Sequence, residues 1–400
     1  MLLPFGTELL AGLIAELDRW RAELDARVVP RRWSGRLRRA IEAEAIAAST
    51  SMEGVPVTVS DTLRILGGDP PDDVAPRDRA LVLGYREAMQ FVQRRADDGH
   101  LEWNRELVVG VQDRSLAGNY AMGAGRLRTG SAWITNKRSG EVVFEPPQHE
   151  LVPDLVDEMC STIRANPGWH PAVLAAWVHV ATAAIHPFAD GNGRTARVLA
   201  SLAMSRGGFR HAAFTNLEEW WGKHPQSYYD AFGCLGRTFS READVTPFML
   251  VHIQAQVSQV LALALRQRAE GRLWTTLENT LEDLGLPPRL ANALYDSFFG
   301  REVTTAYYRD LIDASPATAR NDLLAAAAAG LLRVEGRTRG RRYVPGPRLM
   351  TSIASELGDV EPDAQAIINE LVRRSAGAMD WFADAPTSSG EGQAPLSGLG

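Results

Sequence analysis

The sequence predicts a mainly α-helical protein with one short β-hairpin near its middle and a small helix-and-hairpin module towards its C-terminus. Three observations carry this. Apolar residues recur at three- and four-residue spacing over most of the chain up to Ala269, with Gly, Pro or polar breaks between runs. β-branched and aromatic residues cluster on both sides of "NKRSG", the signature of two strands and a turn. From Val303 the texture changes, and an alanine-rich helical run gives way to an arginine-rich pattern typical of a second hairpin.

Taken in order, helices are predicted over Glu8 to Ala26, Ser34 to Met52, Pro76 to Asp97 and Trp103 to Leu116. The hairpin lies in "RLRTGSAWITNKRSGEVVFEPP", closed off by Pro146 and Pro147. Helices resume through "LVPDLVDEMCSTIRAN" and "PAVLAAWVHVATAAI"; the second is apolar nearly all round and is therefore expected at the centre. "VLASLAMSRGG", the segment Ser227 to Phe239 and the run Pro247 to Ala269 complete the helical part.

The chain of 400 residues, 45% hydrophobic and 23% charged, can bury a sizeable core and is long enough for two or three folding units. Its net charge of −6 argues against a chain-wide nucleic-acid or anionic-membrane partner, leaving only local basic patches. Two cysteines, Cys160 and Cys234, form neither a disulfide framework nor a zinc site, which fits a reducing compartment and a cytoplasmic location. The N-terminal "MLLPFGTELLAGLIAELDRW" reads as an amphipathic helix, and the apolar run Ala172 to Ile185 falls short of the ~20 residues a membrane span needs, so no membrane association is expected.

Chemistry concentrates in "HPFADGNGRTAR", His186 to Arg197. A buried helix ends at His186, and a glycine-containing loop leads into a second helix with Arg194 and Arg197 in its first turn. Unpaired backbone N–H groups at that helix start, the close approach allowed by Gly191 and Gly193, and two arginines three apart make an anion site that suits a polyphosphate. Asp190 adds a hard oxygen ligand suited to Mg²⁺ between phosphates. His186 is placed to take a proton from an incoming hydroxyl.

This segment resembles the Fic-domain signature His-x-Phe-x-Asp/Glu-Gly-Asn-Gly-Arg-x-x-Arg, without gaps and at every constrained position. The resemblance covers about Leu81 to Val251 and implies a Fic-type helical core whose hairpin is a flap that pairs with an extended target segment. It implies a protein adenylyltransferase that moves AMP from ATP to a Ser, Thr or Tyr hydroxyl of a target protein or of itself. His186 would be the general base and Asp190 the Mg²⁺ ligand. Gly191, Asn192 and Gly193 would form the anion hole, Arg194 would hold the β- and γ-phosphates and Arg197 the γ-phosphate. Thr195 and Ala196 complete the nucleotide-binding stretch, and Phe188 would anchor the loop. "YYDAF" resembles the family's Tyr-Tyr element, with Tyr229 the choice for the purine or ribose and a core-packing pair the equal alternative.

Gly54 and Pro56 mark the end of a helix, so Glu53 stands where unpaired carbonyls disfavour a carboxylate by roughly 0.3–1 kcal/mol unless a cation lies opposite. Ser49, Glu53 and Gly54 match the family's inhibitory helix, Ser/Thr-x-x-x-Glu-Gly/Asn. That match implies that Glu53 pairs with Arg197 and holds the enzyme off. Two other activities stay open: removal of AMP assisted by Glu53, and a DNA-binding regulator whose Fic-type domain senses nucleotide.

Val303 to Pro345 reads as a winged helix-turn-helix: a helix near Tyr307 to Ile312, then a second begun by Ser315 and Pro316 and stopped at Gly330, then a wing with Arg333, Arg337, Arg339, Arg341 and Arg342. Thr318, Arg320 and Asn321 would face DNA, or the module would bind a protein; the two fit equally, and a homodimer is compatible with either. The expected partition is an N-terminal region with the inhibitory helix over 1–80, the Fic-type domain over 81–255, a helical linker over 256–299, the winged module over 300–346, a helix over 347–381 and a disordered tail over 382–400.

Overall fold

The structure is a computed structural model that describes residues 2–26, 31–135, 139–210, 217–298, 303–336 and 341–357; at residues 26, 31–40, 265–270, 354, 356 and 357 the backbone alone is described. The turn residues Asn136 to Arg138, the wing tip with Arg337 and Arg339, and the expected tail and most of the helix before it lie outside the described residues. The chain divides into two compact units, Met1–Leu261 and Ala262–Gly400.

The first unit is helical, as the periodicity predicts. It contains α1 (Ala11–Ala26), α2 (Arg31–Met52), α3 (Val59–Leu66), α4 (Pro76–Arg95), α5 (Arg105–Ser115), α6 (Val152–Ala165), α7 (Pro171–Ile185), α8 (Asn192–Arg206), α9 (Glu218–Lys223) and α10 (Pro225–Ala231). α11 (Thr246–Asp283) begins here and continues into the second unit. Thr58 and Asp61 make a reciprocal capping box on α3, a helix the periodicity did not single out, and Asn104 caps α5.

α7 is the central rod. Every side chain from Ala175 to Thr182 is buried, which explains its apolar composition all round, and it packs along α8 while α8 also meets α4 and α5. The tail of α8 comes so near the start of α7 that a methyl group added at Gly207 would lie 1.9 Å from Pro171 Cγ. α2 packs on α4 and α9, which brings its C-terminus to the side of α8.

The expected hairpin is present but short. β1 (Ile134–Thr135) pairs antiparallel with β2 (Val142–Phe144), with an irregular register. Phe144 is buried and roots the hairpin, and Glu145 continues it by exchanging backbone hydrogen bonds with Arg237 and Phe239. Trp133, Val142 and Val143 are left exposed at the hairpin.

Among the described residues, one helical window, Thr246–Ala264, is long and apolar enough to cross a membrane by length and composition, and 61% of it is buried inside the protein. The sequence expectation rested on the shorter run in α7. Within α11, His252, Gln256 and Gln259 are all buried among the apolar residues.

The second unit contains α12 (Ala291–Phe298), α13 (Thr305–Ile312), α14 (Pro316–Ala328), the antiparallel pair β3 (Leu332–Glu335) and β4 (Arg342–Pro345), and α15 (Pro347–Leu357). Ser315 caps α14, Gly330 takes the left-handed conformation just past its end, and Val303 bridges to Tyr343. Buried Asp322 on α14 accepts from Arg289 and from Tyr308 of α13, tying the helices together. The Thr318 hydroxyl is engaged with Ser315 in the cap, unlike the free contact expected of it; Arg320 and Asn321 are exposed. Arg333 and Arg342 both bond Glu335.

Candidate active site

α7 ends because His186 adopts the left-handed conformation, at φ 49° and ψ 59°, with its N–H still bonded to the Thr182 carbonyl. That conformation is uncommon for a residue with a side chain, so neighbouring contacts must hold it. Arg128 supplies one. Its Nε donates to the His186 carbonyl at 2.8 Å, Nη1 to Gly130 at 2.9 Å, and Nη2 to Pro147, while its own N–H bonds the Pro187 carbonyl at 2.9 Å. One buried side chain thus fastens the base-bearing turn to both roots of the hairpin. Sequence reasoning passed over Arg128, since a lone arginine before a hairpin gives no spacing signal.

The loop after His186 is folded on itself. Phe188 is fully buried, as expected of an anchor, and the Asn192 side chain bonds both its N–H and its carbonyl at 2.9 Å. Asn192 therefore has its amide side chain committed to the loop, and only its backbone is left for an anion. Gly191 sits at φ 81° as the residue before α8, with no side chain capping the helix, so the first N–H groups of α8 form the positive end of a helix dipole. Gln112 of α5 steadies this turn by donating to the Asp190 carbonyl at 3.1 Å.

His186 is partly exposed, but its Nδ1 is sealed from solvent without a hydrogen-bond partner among the described residues. Burial holds the imidazole pKa down, to about 4, against a rise favoured by the nearby Ala183 carbonyl. The ring is neutral at pH 7, the state a general base requires.

The two signature arginines diverge in their partners. Arg194 is buried; Nη2 meets Asp190 Oδ1 at 3.0 Å and Nη1 meets the Ser115 carbonyl at 3.3 Å. Asp190 Oδ1 also accepts the Gly191 N–H at 2.5 Å, and its side chain is 39% exposed. Thr195 and Ala196 are both fully buried, and the N–H and hydroxyl of Thr195 both bond the Gly191 carbonyl.

Arg197 turns instead to the end of α2. Nη2 lies 2.8 Å from Glu53 Oε1 and 3.1 Å from the Ser49 carbonyl, Nε lies 2.9 Å from Ser49 Oγ, and Nη1 lies 3.3 Å from Tyr228 Oη. The last four carbonyls of α2 can be accounted for one by one. Ser49 accepts from Arg197, Thr50 from the N–H groups of Glu53 and Val55, Ser51 from the N–H of Gly54, and Met52 from the Tyr229 hydroxyl at 3.3 Å. Gly54 is at φ 91°, the left-handed stop the sequence predicts. The cation that Glu53 and the helix end both call for is Arg197. Burial alone would disfavour its charge, but the Tyr228 oxygen and the Glu53 carboxylate outweigh this and raise its pKa.

Glu53 also crowds the start of α8. A Cβ built on Gly193 would lie 2.3 Å from Glu53 Oε1, so only glycine leaves room for the carboxylate there. A carboxylate rests at the helix start where the sequence predicts a phosphate. Ser49, Glu53, Gly54, Gly193 and Arg197 are brought together; Asp190 and Arg194 lie at the other side of the same turn. Tyr229 is half-exposed beside Met52, whereas Tyr228 is the buried ring bonded to Arg197. Sequence reasoning chose Tyr229 for the ligand, with core packing of the pair as the equal alternative, and missed that Tyr228 belongs to the arginine network. Tyr85 and Glu218, bonded at 2.5 Å, and His179 complete that network; none stands in a motif.

Residues 101–204 match the Fic/DOC family model. The protein adenylyltransferase fic-1 of Caenorhabditis elegans is 31% identical over 165 residues, covering 40% of this chain and 31% of that protein. A probable protein adenylyltransferase of Aquifex aeolicus is 31% identical over 77 residues, 19% of this chain and 24% of that one. The aligned part thus spans about a third or less of the length of the curated relatives it matches. In fold, the chain is similar to a Fic family protein from Desulfovibrio desulfuricans G20, with a TM-score of 0.57 at 21% identity over 87% of this chain and 98% of that one. It is also similar to C. elegans Fic-1, at 0.52 and 21% over 64% and 73%. The loop from His186 to Arg197 lies within the stretch that is similar to the Fic/DOC family.

Proposed function

We propose that this chain is a protein adenylyltransferase that transfers AMP from ATP to a hydroxyl of a protein, itself included, and that Glu53 holds it off. The observation that carries the reading is the position of the Glu53 carboxylate, against Gly193 at the start of α8 and on Arg197. A helix N-terminus with glycines beside it suits the oxygens of a phosphate, and a carboxylate already resting there competes for the same dipole and the same arginine.

The neutral His186 ring accepts the proton of the target hydroxyl as its oxygen bonds the α-phosphorus and the bond to the bridging oxygen breaks, releasing pyrophosphate. Arg128 keeps the ring turn and the hairpin roots in fixed relation, so an extended segment added to the exposed hairpin edge is registered against the base. Asp190 fits Mg²⁺, which takes one or two carboxylates and completes its shell with phosphate oxygens and water. The ion would supply charge neutralisation on the α- and β-phosphates. Tyr229, half-exposed at the end of α2, is the ring offered to the purine or ribose.

Mass spectrometry of Glu53→Gly protein incubated with Mg·ATP tests this directly. An AMP-sized adduct that disappears when His186→Ala is added supports the reading; no adduct in Glu53→Gly refutes it. The same protein offered a pre-modified substrate tests the reverse reaction, removal of AMP, in which wild type would exceed Glu53→Gly.

The second unit is proposed to be a winged helix-turn-helix. Pairing of Arg333 and Arg342 with Glu335 leaves less free positive charge on the hairpin than the sequence suggests, which favours a protein partner over DNA. Salt-sensitive binding of duplex DNA that is lost in Arg320→Ala would reverse that preference.

A further inference from the structure

Beside Arg197 lies a cavity of about 20 Å³, lined by residues of α7, α8, α9 and α11. Five residues of its lining carry a buried polar atom with no hydrogen-bond partner among the described residues: Trp221 Nε1, His252 Nδ1, Glu218 Oε2, Gln256 Oε1 and Ser201 Oγ. Buried polar atoms are rarely left orphaned in a native protein, and here they are gathered around one space. The volume suits one water molecule.

The hydrogen-bond chain leading to the cavity fixes which of these atoms donates. Arg197 Nη1 can only donate, so Tyr228 Oη accepts from it at 3.3 Å. The Tyr228 hydrogen then needs an acceptor, and His179 Nε2 at 3.1 Å is the one within reach. His179 Nε2 is therefore bare and its Nδ1 carries the hydrogen, donated to His252 Nε2 at 3.2 Å. The remaining hydrogen of His252 sits on Nδ1, the buried atom left without a partner in this cavity-lining residue. The opposite direction would strand the Tyr228 hydrogen in a buried site. Burial keeps both imidazoles well below their ordinary pKa, so each carries one hydrogen and no charge.

The structure assigns to this cavity one neutral water, which ends a one-way chain of hydrogen bonds running from Arg197 through Tyr228, His179 and His252. Two donors, His252 Nδ1–H and Trp221 Nε1–H, and two acceptors, Glu218 Oε2 and Gln256 Oε1, meet the capacity of water to accept two bonds and donate two, with the rotatable Ser201 hydroxyl as an alternative partner on either side. A cation is disfavoured by Arg197 and by the two N–H groups, and an anion by the Glu218 carboxylate. The chain leaves Arg197 through Nη1, while Glu53 is held by Nη2. The water site therefore positions Arg197 whether or not Glu53 is engaged, and it does not depend on the transfer chemistry.

Nitrogen NMR of the full chain labelled at histidine and tryptophan tests the assignment. His179 and His252 are expected as neutral Nδ1–H tautomers, with water cross-relaxation at His252 Nδ1–H and Trp221 Nε1–H. These cross-peaks are expected to persist in Ser201→Ala, which removes the nearby hydroxyl as a relay of water magnetisation. An Nε2–H tautomer at either ring, absent cross-peaks, or cross-peaks lost in Ser201→Ala would overturn the site. The same spectra of Glu53→Gly are expected unchanged, and a switched tautomer there would overturn the independence from Glu53.

Discussion

Replacing Glu53 by glycine is expected to lower stability and raise activity together, and the structure sets the scale of both. Truncating one partner of a buried ion pair costs roughly 3–5 kcal/mol. Here the Arg197 guanidinium keeps the Ser49 hydroxyl, the Ser49 carbonyl and the Tyr228 hydroxyl, and the Glu53 side chain is 26% exposed, so a loss of about 1–3 kcal/mol is expected. For ATP the balance reverses. A γ-phosphate must displace the carboxylate from Arg197 and from the start of α8, and a clamp worth about 3 kcal/mol keeps the competent arrangement near one part in 150. Removing it is expected to raise transfer from [α-³²P]ATP by on the order of 100-fold, with the denaturation midpoint shifted down in the same preparation. Glu53→Gln, which keeps the shape but not the charge, is expected to fall between the two. Equal labelling in wild type and Glu53→Gly would refute the reasoning, because the carboxylate would then be a helix-end residue whose pairing with Arg197 has no bearing on nucleotide.

Arg128→Ala is expected to cost about 2–4 kcal/mol, since three carbonyls lose a charged donor, and in a Glu53→Gly background to lower kcat far more than ATP affinity; isothermal titration beside single-turnover labelling would show the split. Gly207→Ala, which drives a methyl into Pro171, is expected to destabilise by about 1–3 kcal/mol with no effect at the loop, read from urea midpoints. Stability is also expected to fall with acid. The folded-state pKa of His186 lies near 4 and that of His252 near 3, with His179 also depressed, against about 6.5 unfolded, so below pH 6.5 the unfolded chain binds more protons. The stability contributed by these rings is complete above pH 6.5 and drains as pH falls towards 4, by about 1.4 kcal/mol per pH unit for each ring. Urea titrations between pH 7 and 4 would show a slope smaller in His252→Gln.

The parts of this protein that were legible in the sequence are those governed by local rules. Helix periods, the cap at Ser315 and the stop at Gly54 depend on neighbours a few residues away, and the structure places them as the residues suggest. The loop from His186 to Gly193 is local too, although its Asn192 and Thr195 side chains turn out to serve the loop and the helix themselves. What was illegible depends on long-range convergence. Nothing near Arg128 announces that its guanidinium will collect carbonyls from positions 130, 147 and 186, and nothing in "YYDAF" says which tyrosine turns inward. Buried charge gives a way to rank such residues once a fold is known. Arg197 is nearly inaccessible, so each of its donors had to find an acceptor, and it found them on α2, on Glu53 and on α10. A substitution that frees only one of those acceptors leaves the guanidinium held by the others, so the release of Glu53 changes what Arg197 is offered without changing where it stands. The glutamate can therefore act as a switch on a fixed arginine, and the cost of switching stays within the few kcal/mol that a bound polyphosphate supplies.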